Sequence, residues 1–134
     1  MLINYVFKYK KLFGLEQYII NFIVYKIVFM NINLDDLTSQ IRRDILRMVH
    51  QVNSGHPGGS LGCAEFLAVL YFKIMKIDLN FNMNGLNEDL FFLSNGHISP
   101  VFYSTLSRRG YFPVSELSTC RKINSRLQGH PTTH

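Results

Sequence analysis

A glycine-rich stretch at residues 53–62 constrains the fold of this chain more than any other feature. It reads Asn-Ser-Gly-His-Pro-Gly-Gly-Ser-Leu-Gly, and amphipathic helical patterns flank it on both sides. Glycine adopts positive φ readily and lets a ligand approach the backbone closely. The stretch therefore predicts a tight turn between two helices that presents His56 in a loop. Taken alone, the same residues also fit a plain helix connector with an exposed histidine.

Two further segments repeat the pairing of glycine with histidine. Ser-Asn-Gly-His occupies residues 94–97, and Gln-Gly-His-Pro occupies residues 128–131. Each is predicted to be a loop beside a regular element, because glycine, asparagine and proline favour turns. The recurrence predicts that His56, His97 and His130 converge on one site assembled from three loops.

Composition limits the class of protein. The 134 residues suffice for one small domain or part of a larger one, and 47% hydrophobic with 17% charged content suits a packed globular chain. The formal net charge of +5 raises the question of nucleic-acid binding, but the first 30 residues hold four lysines against one glutamate. The other basic residues form only short pairs, which are more typical of solvated helix faces than of phosphate clamps. We therefore expect no nucleic-acid partner.

The two cysteines, Cys63 and Cys120, show no metal-ligand spacing. Cys63 falls on an apolar helical pattern, where a buried free thiol is the usual state. Nothing in the sequence requires an oxidising compartment, so we expect a reduced, cytoplasmic setting.

Residues 1–30 form an atypical apolar leader, distinct from the domain predicted at residues 31–134. Its apolar run, 19–30, is interrupted by Asn21 and Lys26 and is too short and polar for a typical membrane span. A signal peptide would need a small-residue cleavage site, which does not follow. Alternatively, the leader is translated upstream sequence of an A/T-rich gene whose true start is Met30. A small membrane-associated protein anchored by the leader is a further alternative.

The glycine-rich turn is predicted to lie between two helices. The first begins with Asn33 as N-cap and ends near Gly55, and its apolar stripe consists of Leu34, Leu37, Ile41, Ile45, Met48 and Val52. The second begins with Ser60 as cap and runs to about Lys76. Its predicted inner face consists of Cys63, Leu67, Leu70 and Ile74, widened by Phe66, Val69 and Phe72.

A four-residue apolar run at 90–93, Leu-Phe-Phe-Leu, predicts a short strand of a parallel sheet, buried on both faces. Ser99 and Pro100 then predict the start of another helix, with serine as cap and proline at the first helical position, and Gly110 ends it. Strand, glycine loop and capped helix is the order of an α/β unit. The predicted fold class is therefore α/β, helix-rich, with one short buried parallel strand.

In open α/β sheets, ligands bind beyond the carboxyl ends of the strands. His97 follows the predicted strand directly and is placed at such a ligand site. Ser94, Asn95 and the Gly96 amide are candidate donors to an anion near the start of the following helix.

The three motifs at 53–62, 93–97 and 129–131 resemble, in family order, the opening of transketolase. That family uses thiamine diphosphate to transfer two-carbon ketol units between sugar phosphates. The resemblance covers about residues 33–134 and implies the N-terminal portion of a thiamine diphosphate-binding fold. The ending Gly-His-Pro-Thr-Thr-His is more similar to the family's split, two-subunit branch.

The resemblance implies a role for each histidine. His56 is similar to the histidine near the reactive thiazolium carbon that contacts the donor ketose, and His130 to the one that holds the hydroxyl of the transferred fragment. His97 is similar to the histidine on the diphosphate side of the cofactor. Histidine suits such proton transfers near neutral pH. Cofactor binding is thus expected at His97, Ser94, Asn95 and Gly96, catalysis and substrate binding at His56 and His130, and His134 is a further candidate for the same cleft.

The chain also departs from the family pattern. The Gly-Asp-Gly segment that holds the divalent ion, magnesium or calcium, has no counterpart here, nor has the glutamate that activates the cofactor. We therefore expect metal ligands outside this chain, and no ketol transfer by the chain alone. The resemblance implies a longer or split enzyme of the pentose phosphate pathway, assembled as a homodimer or a split heterotetramer. The alternative is a non-catalytic truncated remnant or interaction module.

Overall fold

The computed structural model of the chain describes residues 31–79 and 84–132. The chain divides at residue 33 into two units, and every helix described below belongs to the second, Leu34–His134. The predicted leader at 1–30 and the candidate His134 lie outside the described residues. In the described ranges, no helix is long and apolar enough to cross a bilayer.

Helix α1 spans Leu34–Val52, as the apolar stripe predicts. Ile41, Ile45 and Met48 are buried along its inner face. Two aspartates in its first turn are favourably placed with respect to the helix dipole. The helix gives way to the first loop, where Gly55 has a φ of +136° that a residue with a side chain rarely adopts.

The second predicted helix is divided into three pieces. Helix α2 spans Pro57–Gly62, helix α3 spans Ala64–Val69, and a π-helical turn spans Leu70–Ile74. The start comes one turn earlier than predicted, because proline at the first helical position sets the helical φ. Ser60 is therefore wrong as a cap and lies fully buried inside α2.

The predicted inner face of this second helical segment is also partly wrong. Phe66 and Ile74 are 62% and 67% exposed. The buried positions are Ala64, Leu67, Ala68, Tyr71 and Phe72. These positions follow helical spacing from Ala64. The two alanines let α3 pack closely against its neighbours, whereas the prediction assigned only larger side chains to the buried face.

Helix α4 spans Ser99–Arg109 and ends at Gly110, which has a left-handed φ of +108° as the predicted C-cap. A 3₁₀-helix at Gly96–Ile98 leads into it, and a second one spans Val114–Thr119. Ser99 is the first residue of α4 and not its cap, which is Ile98. One cluster of buried residues joins α1, α4 and the loops after it: Met48, Tyr103, Leu117, Cys120 and Leu127.

An ion pair is buried where α1 packs against α4. Asp44 is 4% exposed and accepts two hydrogen bonds from Arg108, at 2.6 Å from Nε and 3.0 Å from Nη2. Ser104 Oγ donates a third to the same carboxylate at 2.9 Å. A buried carboxylate needs such partners, because an unpaired charge in the interior is costly. The pair fixes α4, and with it the loops at both of its ends, relative to α1.

The predicted buried strand at residues 90–93 is not confirmed. Within the described residues these four positions have no strand pairing, and Phe92 is 86% exposed while Leu90 is 55% exposed. Phe91 contacts the packed helices, with its ring 5.6 Å from the ring of Tyr71 and 5.8 Å from that of Phe102. The segment is continuous with the second histidine loop, so it delivers residues 94–97 to the start of α4.

Candidate functional site

The first histidine loop is held close to the second by a glycine. His56 is the N-cap residue of α2, and its side chain makes no capping hydrogen bond, so the imidazole projects from the helix start. A Cβ placed on Gly59 would lie 3.2 Å from Cγ2 of Ile98. The missing side chain thus lets α2 approach the 3₁₀-helix that carries His97.

The second loop is shaped by a local hydrogen bond. The backbone N–H of His97 donates to Oδ1 of Asn95 at 3.2 Å, which is an Asx-type turn. The side-chain oxygen of Asn95 is therefore engaged in a hydrogen bond within the loop. Ser94 and Asn95 are both solvent-exposed. The turn holds His97 at the entry to α4, between the other two histidine loops.

The third loop is fastened to α4 by two side chains. Ser99 Oγ donates to the carbonyl oxygen of Gly129 at 2.7 Å, and the Tyr103 hydroxyl donates to that of Gln128 at 2.8 Å. Leu127, immediately before, is buried in the core cluster. His130 is therefore anchored from the residues directly preceding it.

Burial makes the Tyr103 hydroxyl a stable donor. Desolvation raises the pKa of its phenol to about 12, and the nearby Cys120 adds to the shift. The group therefore keeps its proton and its hydrogen bond to the third loop at alkaline pH, where an exposed phenol would ionise.

The ring of His97 lies in contact with those of His56 and His130, so the three loops converge as the recurrence of the Gly-His motifs predicts. The ring centroids of His56 and His97 are 4.8 Å apart with an interplanar angle of 88°, and those of His97 and His130 are 5.1 Å apart at 80°. All three residues are solvent-exposed. The result is an open cluster of imidazoles with His97 in the middle, which we call the histidine cluster.

Glycine at position 96 is required by this packing. A Cβ placed there would lie 2.5 Å from Cδ2 of His130. Such a distance is far below van der Waals contact, so His130 occupies the space that a side chain at 96 would need. The Gly-His pairing in the second loop therefore has a steric role as well as a conformational one.

The chemistry available to the histidine cluster is that of neutral or protonated imidazole. Each ring offers a donor and an acceptor, or two donors, near physiological pH. Within residues 31–79 and 84–132, no group of three or more His, Cys, Asp or Glu side chains has a geometry that could hold a metal ion. Imidazole nitrogens can form hydrogen bonds with polar organic groups and anions. The assigned roles of the members of the cluster stay predictions.

Ser99 and Tyr103 position the third loop, and the sequence did not reveal these roles. Their partners lie 30 and 25 residues further along the chain. Ser99 had a local explanation as a helix cap, and the sequence singled out no role for Tyr103. The only signal was that Ser99 and Tyr103 each carry a hydroxyl group, which needs a hydrogen-bond partner when it is buried.

A surface cavity of about 470 Å³ lies away from the histidine cluster. None of the three histidines lines it, and its residues are Glu116, Thr119, Lys122, Ile123, Asn124, Ser125 and Arg126. An exposed ion pair between Arg126 and Glu116 occupies this region, with Arg126 lowering the Glu116 pKa through its hydrogen bonds. The cavity brings together no candidate catalytic residue, so the histidine cluster is the stronger candidate site.

Comparison with known proteins identifies the family of the helical unit. Residues 34–134 match the family model of the transketolase thiamine diphosphate-binding domain. The chain is 38% identical over 99 residues to the 6-deoxy-6-sulfo-D-fructose transketolase subunit SqwG of Clostridium sp. (strain MSTE9), covering 74% of this chain and 36% of that protein. It is 36% identical over 98 residues to human transketolase, covering 73% and 16%.

A solved structure, the transketolase of Leishmania mexicana, has the same fold over this region. The TM-score is 0.68 at 32% identity, and the match covers 75% of this chain and 15% of that one. The chain thus spans about a third of the length of the bacterial subunit and about a sixth of the longer relatives.

Proposed function

The chain belongs to the transketolase family through its thiamine diphosphate-binding domain, and we propose that it forms part of an enzyme that transfers a two-carbon ketol unit between sugar phosphates. The observation that supports this most is the contact of His56, His97 and His130 in one exposed cluster. The three rings come from loops that are 41 and 33 residues apart along the chain.

The histidines divide the work between cofactor and substrate in this proposal. His97 holds the diphosphate side of the cofactor, with Ser94, Asn95 and the Gly96 amide as neighbouring polar groups. His56 and His130 bind the donor ketose and move protons to and from its oxygens, as imidazoles do near neutral pH. When bound, thiamine diphosphate supplies the electron sink for cleavage of the carbon–carbon bond.

The described residues fit the organic part of the cofactor better than its metal. Exposed imidazoles match anionic and hydroxyl oxygens, whereas no metal-binding cluster of His, Cys, Asp or Glu is found in the described ranges. Magnesium or calcium prefers carboxylate and carbonyl oxygens. We propose that these ligands come from another polypeptide region, and that the chain alone does not catalyse the transfer.

The substrate in this proposal is a ketose with an anionic end. The name of the bacterial relative specifies a sulfonated fructose, so within the family the anion is not restricted to phosphate. We propose a cytoplasmic setting, where phosphorylated sugars are found, and a partner chain or second copy that completes the enzyme.

Equilibrium dialysis of the full chain with thiamine diphosphate and magnesium tests the cofactor role. We expect His97→Ala to weaken binding by about tenfold or more, because a hydrogen bond to a charged group contributes about 1.5–3 kcal/mol. His50→Ala is the matched control, since His50 is exposed on α1 and outside the cluster. Equal affinities for both variants would contradict the proposal.

A turnover assay separates the enzyme from the non-catalytic alternative. The chain alone, with cofactor, magnesium and a ketose phosphate, should give no product. Turnover without any other polypeptide would contradict the proposed need for further metal ligands. A chain that neither binds the cofactor nor restores activity with a family partner subunit would favour an interaction module or remnant.

A further inference from the structure

The Arg121 side chain lies between the first and third histidine loops. A Cβ placed on Gly129 would lie 3.1 Å from Nη2, 3.2 Å from Nε and 3.3 Å from Cζ of this arginine. Three guanidinium atoms at nearly equal distance mean that the flat group lies broadside against the Gly129 backbone. A Cβ placed on Gly55 would lie 3.6 Å from Nη1 of the same guanidinium. Gly129 and Gly55 are the residues immediately before His130 and His56.

The backbone of Arg121 also supports the third loop. Its N–H donates to the carbonyl oxygen of Leu127 at 2.7 Å, which closes the turn that begins at Arg121 and leads into Gln128. The residue thus touches the third loop twice, once through its main chain and once through its guanidinium.

Arg121 adopts a backbone conformation that arginine rarely takes. Its φ is +61°, in the left-handed region that favours glycine and asparagine. Strain of this kind persists only where the surrounding structure enforces it, and it collects at functional sites. Here the strained turn directs the guanidinium toward the two glycines.

The guanidinium does not have another evident structural task. Among the described residues it forms no hydrogen bond or ion pair that would explain its position, in contrast to Arg108 with Asp44 and Arg126 with Glu116. Arg121 is solvent-exposed as a residue, and its guanidinium packs against glycine backbone. Planar packing of this kind is a property of arginine that lysine does not reproduce.

We propose that Arg121 is a positioning residue for the histidine cluster, holding the loops of His56 and His130 at the separation that lets both rings meet His97. Glycine at 129 is then needed to leave room for the guanidinium. The inference rests on the proposed function only in treating the cluster as the working site, since the ring geometry itself is independent of any activity.

Histidine-selective isotope labelling of the full chain tests this inference by NMR. The readout is the nuclear Overhauser cross-peak between the imidazole protons of His97 and His130, and the one between His56 and His97. In Arg121→Gly we expect both cross-peaks to weaken or vanish while the melting temperature stays close to wild type, because glycine relieves the strained φ. A purely structural residue would show the opposite pattern, with lower stability and intact cross-peaks.

Two more variants distinguish planar packing from charge. Arg121→Lys should lose the cross-peaks almost as fully as Arg121→Gly, because an ammonium group cannot lie flat against Gly129. Gly129→Ala should weaken the His97–His130 cross-peak by displacing the guanidinium. Lys122→Met, which removes an exposed neighbouring charge, is the matched control and should change neither.

Unchanged cross-peaks in Arg121→Gly, or full retention in Arg121→Lys, would overturn the inference. If Arg121→Gly does not fold, Arg121→Lys decides. Since no cofactor is present in the NMR experiment, a negative result there leaves the cofactor-binding test of His97 unaffected, and the two failures can be told apart.

Discussion

The interface between α1 and α4 and the segment at residues 84–95 contrast in how their side chains are satisfied. At the interface the Asp44 carboxylate has three hydrogen-bond donors, and apolar residues such as Ile41 and Val101 are fully buried. In the segment, Leu86, Leu90 and Phe92 are all more than half exposed. The side chains at the interface are buried and paired, whereas the segment carries exposed apolar side chains of the kind that mark association sites, as do Phe66 and Ile74 on the second helical segment.

The contrast teaches how the histidine cluster is built. The loops of His56 and His130 are attached to the packed helices through α2 and α4. The loop of His97 follows the exposed segment and leads into α4. The cluster therefore lies where the packed helices meet the exposed segment.

The largest expected effect is a difference in stability between alanine substitutions of a buried and an exposed phenylalanine. Phe72 is 7% exposed and Phe92 is 86% exposed. Phe72→Ala should lower the free energy of unfolding by about 3–5 kcal/mol, because it leaves a cavity in the helical layer. Phe92→Ala should change it by no more than about 0.5 kcal/mol and should reduce aggregation. Urea unfolding of both variants provides the measurement, and similar losses would mean that the segment is not exposed in solution.

The second largest effect on stability is expected from a charge change at the interface between α1 and α4. Asp44→Asn leaves Arg108 without its carboxylate and should cost about 3 kcal/mol, at the lower end for a buried pair because Arg108 is partly exposed. Asp36→Asn removes the same charge from an exposed position of α1 and should cost less than about 1 kcal/mol. Thermal unfolding compares the two, and equal shifts would rule out a special role for the Asp44 pair.

A smaller effect is expected where α4 meets the third loop. Tyr103→Phe removes the hydrogen bond to Gln128 and should cost about 1 kcal/mol. Because burial raises the Tyr103 pKa from 10 to about 12, the folded state retains the phenol proton more tightly than the unfolded state. The contribution of the protonated phenol to the free energy of unfolding is fully present below pH 10 and is lost as the pH rises toward 12. The pH dependence of unfolding should therefore be shallower there in Tyr103→Phe, and identical slopes would contradict a buried phenol.

The sequence predicted those parts of the fold that depend on local pattern. Helix α1 was found because its apolar residues repeat over five turns, and Gly110 ends α4 as a left-handed C-cap. The second helical segment was harder, because the interruption at Cys63 and the π-helical turn after Val69 have no clear local signal. Small buried residues such as Ala64 also escape a search for large apolar ones.

What the sequence could not provide was long-range pairing. Residues 90–93 have a strand-like composition, yet a strand requires a neighbour, and none pairs with them in the described residues. The convergence of the three histidines was predicted because each motif carries its own glycine. The supports from Ser99, Tyr103 and Arg121 were not, since each acts on a residue distant in the sequence or depends on a backbone conformation that arginine seldom adopts.

The most direct test of the account is histidine modification by diethyl pyrocarbonate, followed residue by residue by mass spectrometry. With thiamine diphosphate, magnesium and a ketose phosphate present, His56, His97 and His130 should all be protected together. His50, exposed on α1, should react at an unchanged rate and serves as the internal control. Protection of none of the three, or equal protection of His50, would contradict the claim that the three loops form one binding site.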